Sequence, residues 1–205
     1  HPRAQRGIVA VTADHGEVLG RHGIWWRHKD LYPDTLHVPL IMAWPGAPAG
    51  ARVSQPVELL QLGRTLLDRA GLGSAAFPGR DLTLPLPAQA PPRFAVATNW
   101  RSASIQSGEW HLILHLLNSH RVELYHRALD PWCETDLVLQ EPERAKALRA
   151  ELVAWLAEAG PGWAGERNDD PEALARLAEL GYADQQEDAA AARALGGSRA
   201  PPPDC

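Results

Sequence analysis

The first part of the chain alternates between short apolar runs and polar, glycine-containing connections. Residues 7–12 are an apolar, β-branched run that ends in polar residues, which predicts a buried strand feeding a loop. The loop covers residues 13–35 and contains the adjacent pair Trp25 and Trp26. Loops of that length are uncommon without a functional role. Residues 37–44 form the next strand-like run, closed by a Pro-Gly pair.

The pattern then changes to a helical period. Residues 57–70 place leucines at helical spacing and are followed by Gly71, which predicts an amphipathic helix with a glycine stop. Three strand-like runs follow at residues 94–99, 102–116 and 121–126, with a bend expected at Gly108, and their spacing predicts an antiparallel meander. Two further helices are predicted at residues 142–159 and 171–180.

The composition indicates a globular protein and argues against several classes of partner, but it does not indicate a function. The chain has 205 residues, of which 45% are hydrophobic and 22% charged, as expected for a globular protein of one domain or slightly more. The net charge of -5 argues against nucleic acid or an anionic membrane surface as a general partner. No apolar run of 18 or more residues occurs, so no membrane span is predicted.

The first candidate chemistry lies at the end of the first predicted strand, at Asp14 and His15. In open α/β sheets, ligands bind at the carboxyl ends of the strands. A carboxylate oxygen and an imidazole nitrogen could bind one divalent cation together. The competing interpretation is a turn in which Asp14 caps the backbone and Gly16 supplies a positive φ.

The surrounding residues resemble the sulfatase family of the alkaline-phosphatase superfamily. The most specific block is residues 12–17, and further matching blocks occur in the family's order over residues 7–182. These blocks are residues 19–23, 31–32, 37–41, 45–46, 57–72, 77–82, 107–113, 123–131 and 177–182. The resemblance implies an α/β fold, in which residues 1–92 form part of an alkaline-phosphatase-like α/β sheet. Residues 93–182 would then form a small antiparallel C-terminal sheet with helices. The Ala-rich and then Gly/Ser/Pro-rich composition of residues 183–205 predicts a disordered tail.

The resemblance also implies an activity, the hydrolysis of small-molecule or carbohydrate sulfate esters. Sulfatases use a formylglycine, made from Cys or Ser in a Cys/Ser-x-Pro-x-Arg motif, and a divalent cation that is usually Ca²⁺. Asp14 and His15 match two of the family's metal ligands. A cation at that position would offset negative charge on the group being transferred.

The family also places a lysine beside the sulfate, four residues before the tyrosine that matches Tyr32. Counting back from Tyr32 gives His28, and Lys29 follows one residue later. Either His28 replaces the lysine, or a one-residue shift brings Lys29 into the site. Chemical identity slightly favours Lys29, and both remain candidate catalytic residues.

Other residues of the matched loop have weaker expectations. Glu17 is expected to brace the loop through hydrogen bonds, and His22 to support a residue of the site. Trp25 and Trp26 could line a substrate pocket, but packing beneath the loop is the favoured interpretation. Most of the C-terminal histidines are expected at structural or surface positions, since their spacing indicates no metal set. They are His111, His115, His120 and His126.

The sequence contains no Cys/Ser-x-Pro-x-Arg motif and no counterpart of the family's paired aspartates. Residues 76–80 have the motif's spacing, but Ala76 stands where the nucleophile would be. The chain also lacks an initial Met, so we interpret it as the C-terminal portion of a longer protein, inactive by itself. Two alternatives stay open: a phosphodiesterase, phosphonate hydrolase or phosphotransferase of the same superfamily, and a non-catalytic remnant. An upstream nucleophile motif would distinguish them.

Overall fold

The computed structural model of the chain describes residues 7–72, 77–97, 101–116 and 121–159. These residues contain both strands and helices, in agreement with the predicted α/β class. The strands are β1 (Val9–Thr12), β2 (Val18–Leu19), β3 (Trp25–Arg27), β4 (Leu40–Ala43), β5 (Arg93–Val96), β6 (Ser102–Ser107), β7 (Trp110–His115) and β8 (Val122–His126). The helices are α1 (Pro33–Leu36), α2 (Leu59–Arg69) and α3 (Pro142–Ala159).

The chain divides into two compact units. The first comprises residues 1–93, 106–111 and 126–135, and the second comprises residues 94–105, 112–125 and 136–205. The first unit contains the matched loop and is therefore the unit that carries the candidate chemistry.

The first predicted strand forms, but its burial was predicted wrongly. Strand β1 pairs antiparallel with β4 in a two-stranded sheet, from Val9 opposite Ala43 to Thr12 opposite Leu40. Val11 is 57% exposed and Ile41 66% exposed, so apolar side chains of this sheet face solvent in the described part of the chain. Apolar, β-branched composition predicts a strand, but burial requires neighbouring elements, and no further strand of the described residues joins these two in their sheet.

The predicted loop at residues 13–35, which we call the site loop, contains regular structure. Strands β2 and β3 form a short antiparallel hairpin, and α1 begins at a proline in the first helical position. The backbone N–H of Gly16 donates to the Thr35 carbonyl at 2.8 Å. A Cβ at Gly16 would lie 1.9 Å from the Asp34 carbonyl oxygen, so only glycine allows the two segments to approach this closely.

Helix α2 confirms the amphipathic prediction. Its N-terminus carries a capping box in which the side chains of Glu58 and Gln61 each accept a hydrogen bond from the other residue's backbone N–H. Leu62 and Thr65 face inward, and the Thr65 hydroxyl accepts a hydrogen bond from the Leu82 N–H at 2.8 Å. The helix is thereby attached to the irregular segment that follows it.

The C-terminal strands form the predicted meander, a four-stranded sheet in the order β5-β6-β7-β8. Gly108, with φ of +56°, makes the turn between β6 and β7 at the expected bend. In the second unit, the ring of Phe94 on β5 stacks on Trp155 of α3 at 4.7 Å. The buried apolar side chains of this unit include Ala103, Ile105, Leu112, Leu124 and Leu152.

Helix α3 has the bounds that the sequence predicts. The predicted helix at residues 171–180 and the predicted tail at residues 183–205 lie outside the described residues. Among the helices that the structure describes, α3 included, none is long and apolar enough to cross a membrane.

Candidate functional site

Asp14 and His15 lie directly after β1, at the start of the site loop. The His15 backbone N–H donates to Asp14 Oδ1 at 3.0 Å. The ring atom Nδ1 of His15 lies 2.8 Å from the Gly16 carbonyl oxygen, which can only accept. In the neutral imidazole this contact places the proton on Nδ1 and the lone pair on Nε2. The lone pair of Nε2 is the part of the ring that can bind a cation.

The same two residues bring two possible metal-binding atoms close together. His15 Nε2 lies 3.8 Å from Asp14 Oδ2, which is within the spacing of about 3–4 Å expected for neighbouring ligands of one ion. The Asp14 side chain is 78% exposed and accessible to a cation. Among the described residues, no group of three or more His, Cys, Asp or Glu side chains is arranged to hold a metal ion. The pair therefore fits part of a metal site and needs further ligands.

His28 is the loop residue that the structure places beside this pair. Its ring stacks on the ring of His15, with centroids 4.1 Å apart and planes inclined by 14°. Glu17 Oε2 lies 3.5 Å from His28 Nδ1. Glu17 therefore forms an ion-pair contact with His28, and its predicted bracing of the loop through hydrogen bonds stays a prediction. The stacking contact with His15 is made by His28, whereas the sequence slightly favoured Lys29 for the position near the metal ligands.

A bulge in β3 explains why counting residues could not choose between His28 and Lys29. Val18 pairs with Arg27 and Leu19 pairs with Trp25, which leaves Trp26 as the extra residue. Trp26 has a φ of +54°, an uncommon conformation for a bulky side chain. Because a bulge redirects the residues that follow it, the direction of a side chain two or three positions later depends on the bulge.

The favoured interpretation of the tryptophan pair, packing beneath the loop, is wrong. Trp25 is 61% exposed and Trp26 is 75% exposed. Trp25 lies over the backbone of Gly20, and Trp26 occupies the bulge, so the hairpin directs both away from a core. The alternative interpretation, that they line a substrate pocket, remains compatible with their positions.

His22 and Arg21 attach the site loop to residues 132–134 of the same unit. The His22 ring stacks on Tyr32 at 3.7 Å, and His22 Nε2 lies 3.2 Å from the Trp132 carbonyl oxygen. Arg21 Nη1 donates to Glu134 Oε1 at 2.9 Å, and its guanidinium lies over the Trp132 ring. His22 therefore contacts Tyr32, and its support of a residue of the site stays a prediction. The contribution of Arg21 was not predicted, because residue 134 is more than a hundred positions away in sequence.

The C-terminal histidines have structural contacts within their units. His111 is fully buried and lies 3.7 Å from Cys133 Sγ. His115 lies between Ser102 Oγ at 3.2 Å and Glu123 Oε1 at 2.8 Å, and the His126 ring meets Trp110 edge-on. His120 lies outside the described residues. The expectation of structural positions agrees with these three residues, and none of them joins the Asp14 and His15 pair.

A half-buried carboxyl group holds the end of the site loop in place. Asp30 Oδ1 accepts hydrogen bonds from the Tyr32 backbone N–H and the Thr35 hydroxyl, both at 3.0 Å. Burial raises the pKa of Asp30 above its ordinary value, and these hydrogen bonds oppose the shift without cancelling it. The protonated carboxyl is therefore favoured in the folded state relative to the unfolded state.

This shift predicts a pH-dependent difference between the wild-type chain and Asp30→Asn. Because the pKa of Asp30 is raised in the folded state, its carboxyl group stabilises the fold at pH values below its pKa in the unfolded chain, which is about 3.9. This stabilisation is lost as pH rises through the pKa of Asp30 in the folded state. Asparagine keeps an oxygen acceptor for both hydrogen bonds and does not titrate. In urea unfolding at several pH values, Asp30→Asn should gain stability relative to wild type as pH rises above about 4. A difference that is constant with pH would contradict the prediction.

Comparison with known proteins gives matches to sulfatases. The family model described as Sulfatase matches residues 1–72. Arylsulfatase K of Homo sapiens is 40% identical over 68 residues, which cover 33% of this chain and 12% of that protein. A Delta 4,5-hexuronate-2-O-sulfatase of Bacteroides thetaiotaomicron is 29% identical over 163 residues, which cover 72% of this chain and 33% of that protein.

Similarity to solved structures agrees with these relatives. A structure solved in complex with its substrate, D-glucosamine-2-N,6-O-disulfate, superposes with a TM-score of 0.61 at 23% identity, covering 80% of this chain and 36% of the other. This likeness confirms the predicted fold class. Residues 1–72 match the sulfatase family, and the longer match, over 72% of the chain, is also to a sulfatase. The chain spans 12% to 33% of the length of the two relatives described above.

Proposed function

We propose that this chain is the C-terminal part of a sulfatase that hydrolyses sulfate esters. The observation that carries the proposal is the placement of Asp14 Oδ2 and His15 Nε2 3.8 Å apart, with His28 stacked on His15. All three residues lie in the segment that matches the sulfatase family model. The nucleophile, a formylglycine in this family, and the remaining metal ligands would come from a preceding part of the protein.

In this proposal Asp14 and His15 hold one edge of a divalent cation. When bound, the cation would offset negative charge on the sulfate group and polarise its sulfur–oxygen bonds. The family resemblance favours Ca²⁺, and the carboxylate of Asp14 suits that ion. The imidazole of His15 is a ligand more often used by transition metals. The identity of the bound metal should therefore be determined by metal analysis of the purified protein.

His28 is proposed to act on the leaving group of the ester. A ring stacked on His15 would lie next to the sulfate that the metal binds. A protonated imidazole there would neutralise charge on the sulfate and could donate a proton to the departing oxygen. Glu17, 3.5 Å from Nδ1, would hold the ring in this orientation. Lys29 is the competing residue for the same role.

The proposed substrates are sulfated carbohydrates. The matching Bacteroides protein is named for sulfate removal from an unsaturated hexuronate, and the superposed structure contains a disulfated glucosamine. Both names concern a sulfate carried on a sugar ring. The exposed ring of Trp25 in the site loop is compatible with such a substrate because sugar rings stack on aromatic side chains through their C–H faces.

The test is a substrate comparison on the complete protein that contains this chain. We expect hydrolysis of 4-nitrophenyl sulfate and of sulfated disaccharides that is lost after chelation and restored by Ca²⁺. A phosphonate monoester and a phosphodiester serve as parallel substrates. Preference for either would support the alternative chemistry within the superfamily. Turnover of none of these substrates by folded, metal-supplemented protein would support the non-catalytic remnant and overturn the proposal.

A further inference from the structure

A cleft opens beside the site loop in the first unit. It has a volume of about 520 Å³ and is lined by Leu19, Gly20, Arg21, Trp25, Asp34 and Glu134. Neither Asp14, His15 nor His28 contributes to its lining, so the cleft is distinct from the proposed metal edge. Its walls combine an aromatic ring, an aliphatic side chain and three charged groups.

The aromatic wall is an exposed ring supported by glycine. A Cβ at Gly20 would lie 2.8 Å from the Trp25 ring, so the ring packs directly against the backbone of residue 20. Gly20 also has a φ of +114°, which a residue with a side chain rarely adopts. Trp25 nevertheless remains 61% exposed. The backbone thus holds a large aromatic surface in place while leaving most of it available to a ligand.

The polar wall is an ion-pair network with a net negative charge. Arg21 Nε lies 3.2 Å from Asp34 Oδ1, and Arg21 Nη1 lies 2.9 Å from Glu134 Oε1. One guanidinium and two carboxylates sum to one negative charge, which disfavours a second sulfate in this cleft. The Glu134 side chain is 63% exposed and can accept hydrogen bonds from hydroxyl groups.

The cleft adjoins the proposed metal edge through the backbone. Gly16, which follows His15, donates its N–H to the Thr35 carbonyl and packs against the carbonyl of Asp34. Asp34 in turn lines the cleft. Residues of the cleft and of the metal edge therefore meet at Gly16, and a substrate of more than one unit could contact both.

We propose that this cleft is a subsite for an unsulfated sugar unit of a saccharide whose sulfated unit occupies the metal edge. Trp25 stacks on the apolar face of the sugar ring, and Glu134 accepts hydrogen bonds from its hydroxyls. The net negative charge selects against a sulfate at this unit. This inference deepens the proposed function, on which the position of the sulfated unit rests.

The two adjacent tryptophans provide a matched pair of variants. Trp25 lines the cleft, whereas Trp26 is also exposed but is not among the lining residues. In the complete protein, Trp25→Ala should raise KM for a sulfated oligosaccharide by about tenfold, with kcat little changed. For 4-nitrophenyl sulfate, Trp25→Ala should change KM by no more than about twofold. Trp26→Ala should change KM by no more than about twofold for both substrates. Equal effects of the two variants on the oligosaccharide would overturn the proposal.

A binding measurement separates this inference from the proposed function. The probe is the desulfated form of the same oligosaccharide, titrated into metal-free protein and followed by tryptophan fluorescence and saturation-transfer NMR. We expect the unchanged protein and Trp26→Ala to bind this saccharide. Trp25→Ala should abolish the binding, and Glu134→Gln should weaken it. Glu134→Gln keeps the size of an exposed side chain, so the test does not depend on the folding of Trp25→Ala. Sulfate ester hydrolysis without desulfated-saccharide binding would overturn the subsite alone. Saccharide binding without hydrolysis would overturn the proposed function alone.

Discussion

Replacing Asp14 with alanine in the complete protein is expected to lower kcat/KM for 4-nitrophenyl sulfate by at least about 10³-fold. Asp14 contributes the most exposed carboxylate of the proposed metal edge, 3.8 Å from His15 Nε2. Without Asp14, this chain would hold the cation through the imidazole of His15 alone. The cation would then be lost or displaced, and it would no longer offset the negative charge of the sulfate. The measurement is steady-state turnover at a series of Ca²⁺ concentrations.

The concentration series distinguishes weaker metal binding from loss of fold. If Asp14 binds the metal, activity of Asp14→Asn should recover partly at high Ca²⁺, because an amide oxygen is a weaker ligand for the same ion. Asp14 is exposed, so the thermal midpoint of the metal-free protein should change little. Glu143→Ala, an exposed carboxylate on α3, is the control and should leave activity unchanged. Near-normal kcat/KM in Asp14→Ala would contradict the assignment.

Elements whose pattern is local could be predicted from the sequence. Helix α3 has its predicted bounds because Pro142 begins it, and the meander turns at Gly108 because a glycine there allows a positive φ. Each of these predictions depends on groups within a few positions of one another, so the sequence contains all the information that they require.

The features that could not be predicted depend on partners distant in sequence or on a single backbone conformation. Burial of β1 depends on which elements cover the two-stranded sheet, and its apolar composition says nothing about their presence. The cleft depends on Glu134 meeting Arg21, a contact that no local pattern encodes. The bulge at Trp26, where φ is +54°, changes the direction of the residues that follow it, His28 and Lys29 included. Counting residues in the site loop therefore left both His28 and Lys29 as candidates, with a slight preference for Lys29 on chemical identity alone.

The second large effect is expected at His28. His28→Ala should lower kcat for 4-nitrophenyl sulfate by about 10²–10³-fold, within the range for loss of an acid or a charge-stabilising group. Lys29→Ala should change kcat by less than about threefold, because the ring that stacks on His15 belongs to His28. His37→Ala, an exposed histidine after α1, is the matched control for histidine removal. The comparison is made by measuring kcat for the three variants and the unchanged protein at saturating substrate.

The leaving group provides a second measurement that a structural role of His28 would not affect. If His28 assists departure of the ester oxygen, the loss in His28→Ala should grow as the leaving-group pKa of a series of aryl sulfates increases. A variant that only loosens the packing on His15 should lose the same factor across the series. A large, leaving-group-dependent loss in Lys29→Ala with a small loss in His28→Ala would reverse the assignment. That result would mean that β3 in the complete protein has its extra residue at a position other than Trp26, so that Lys29 is turned toward the metal edge.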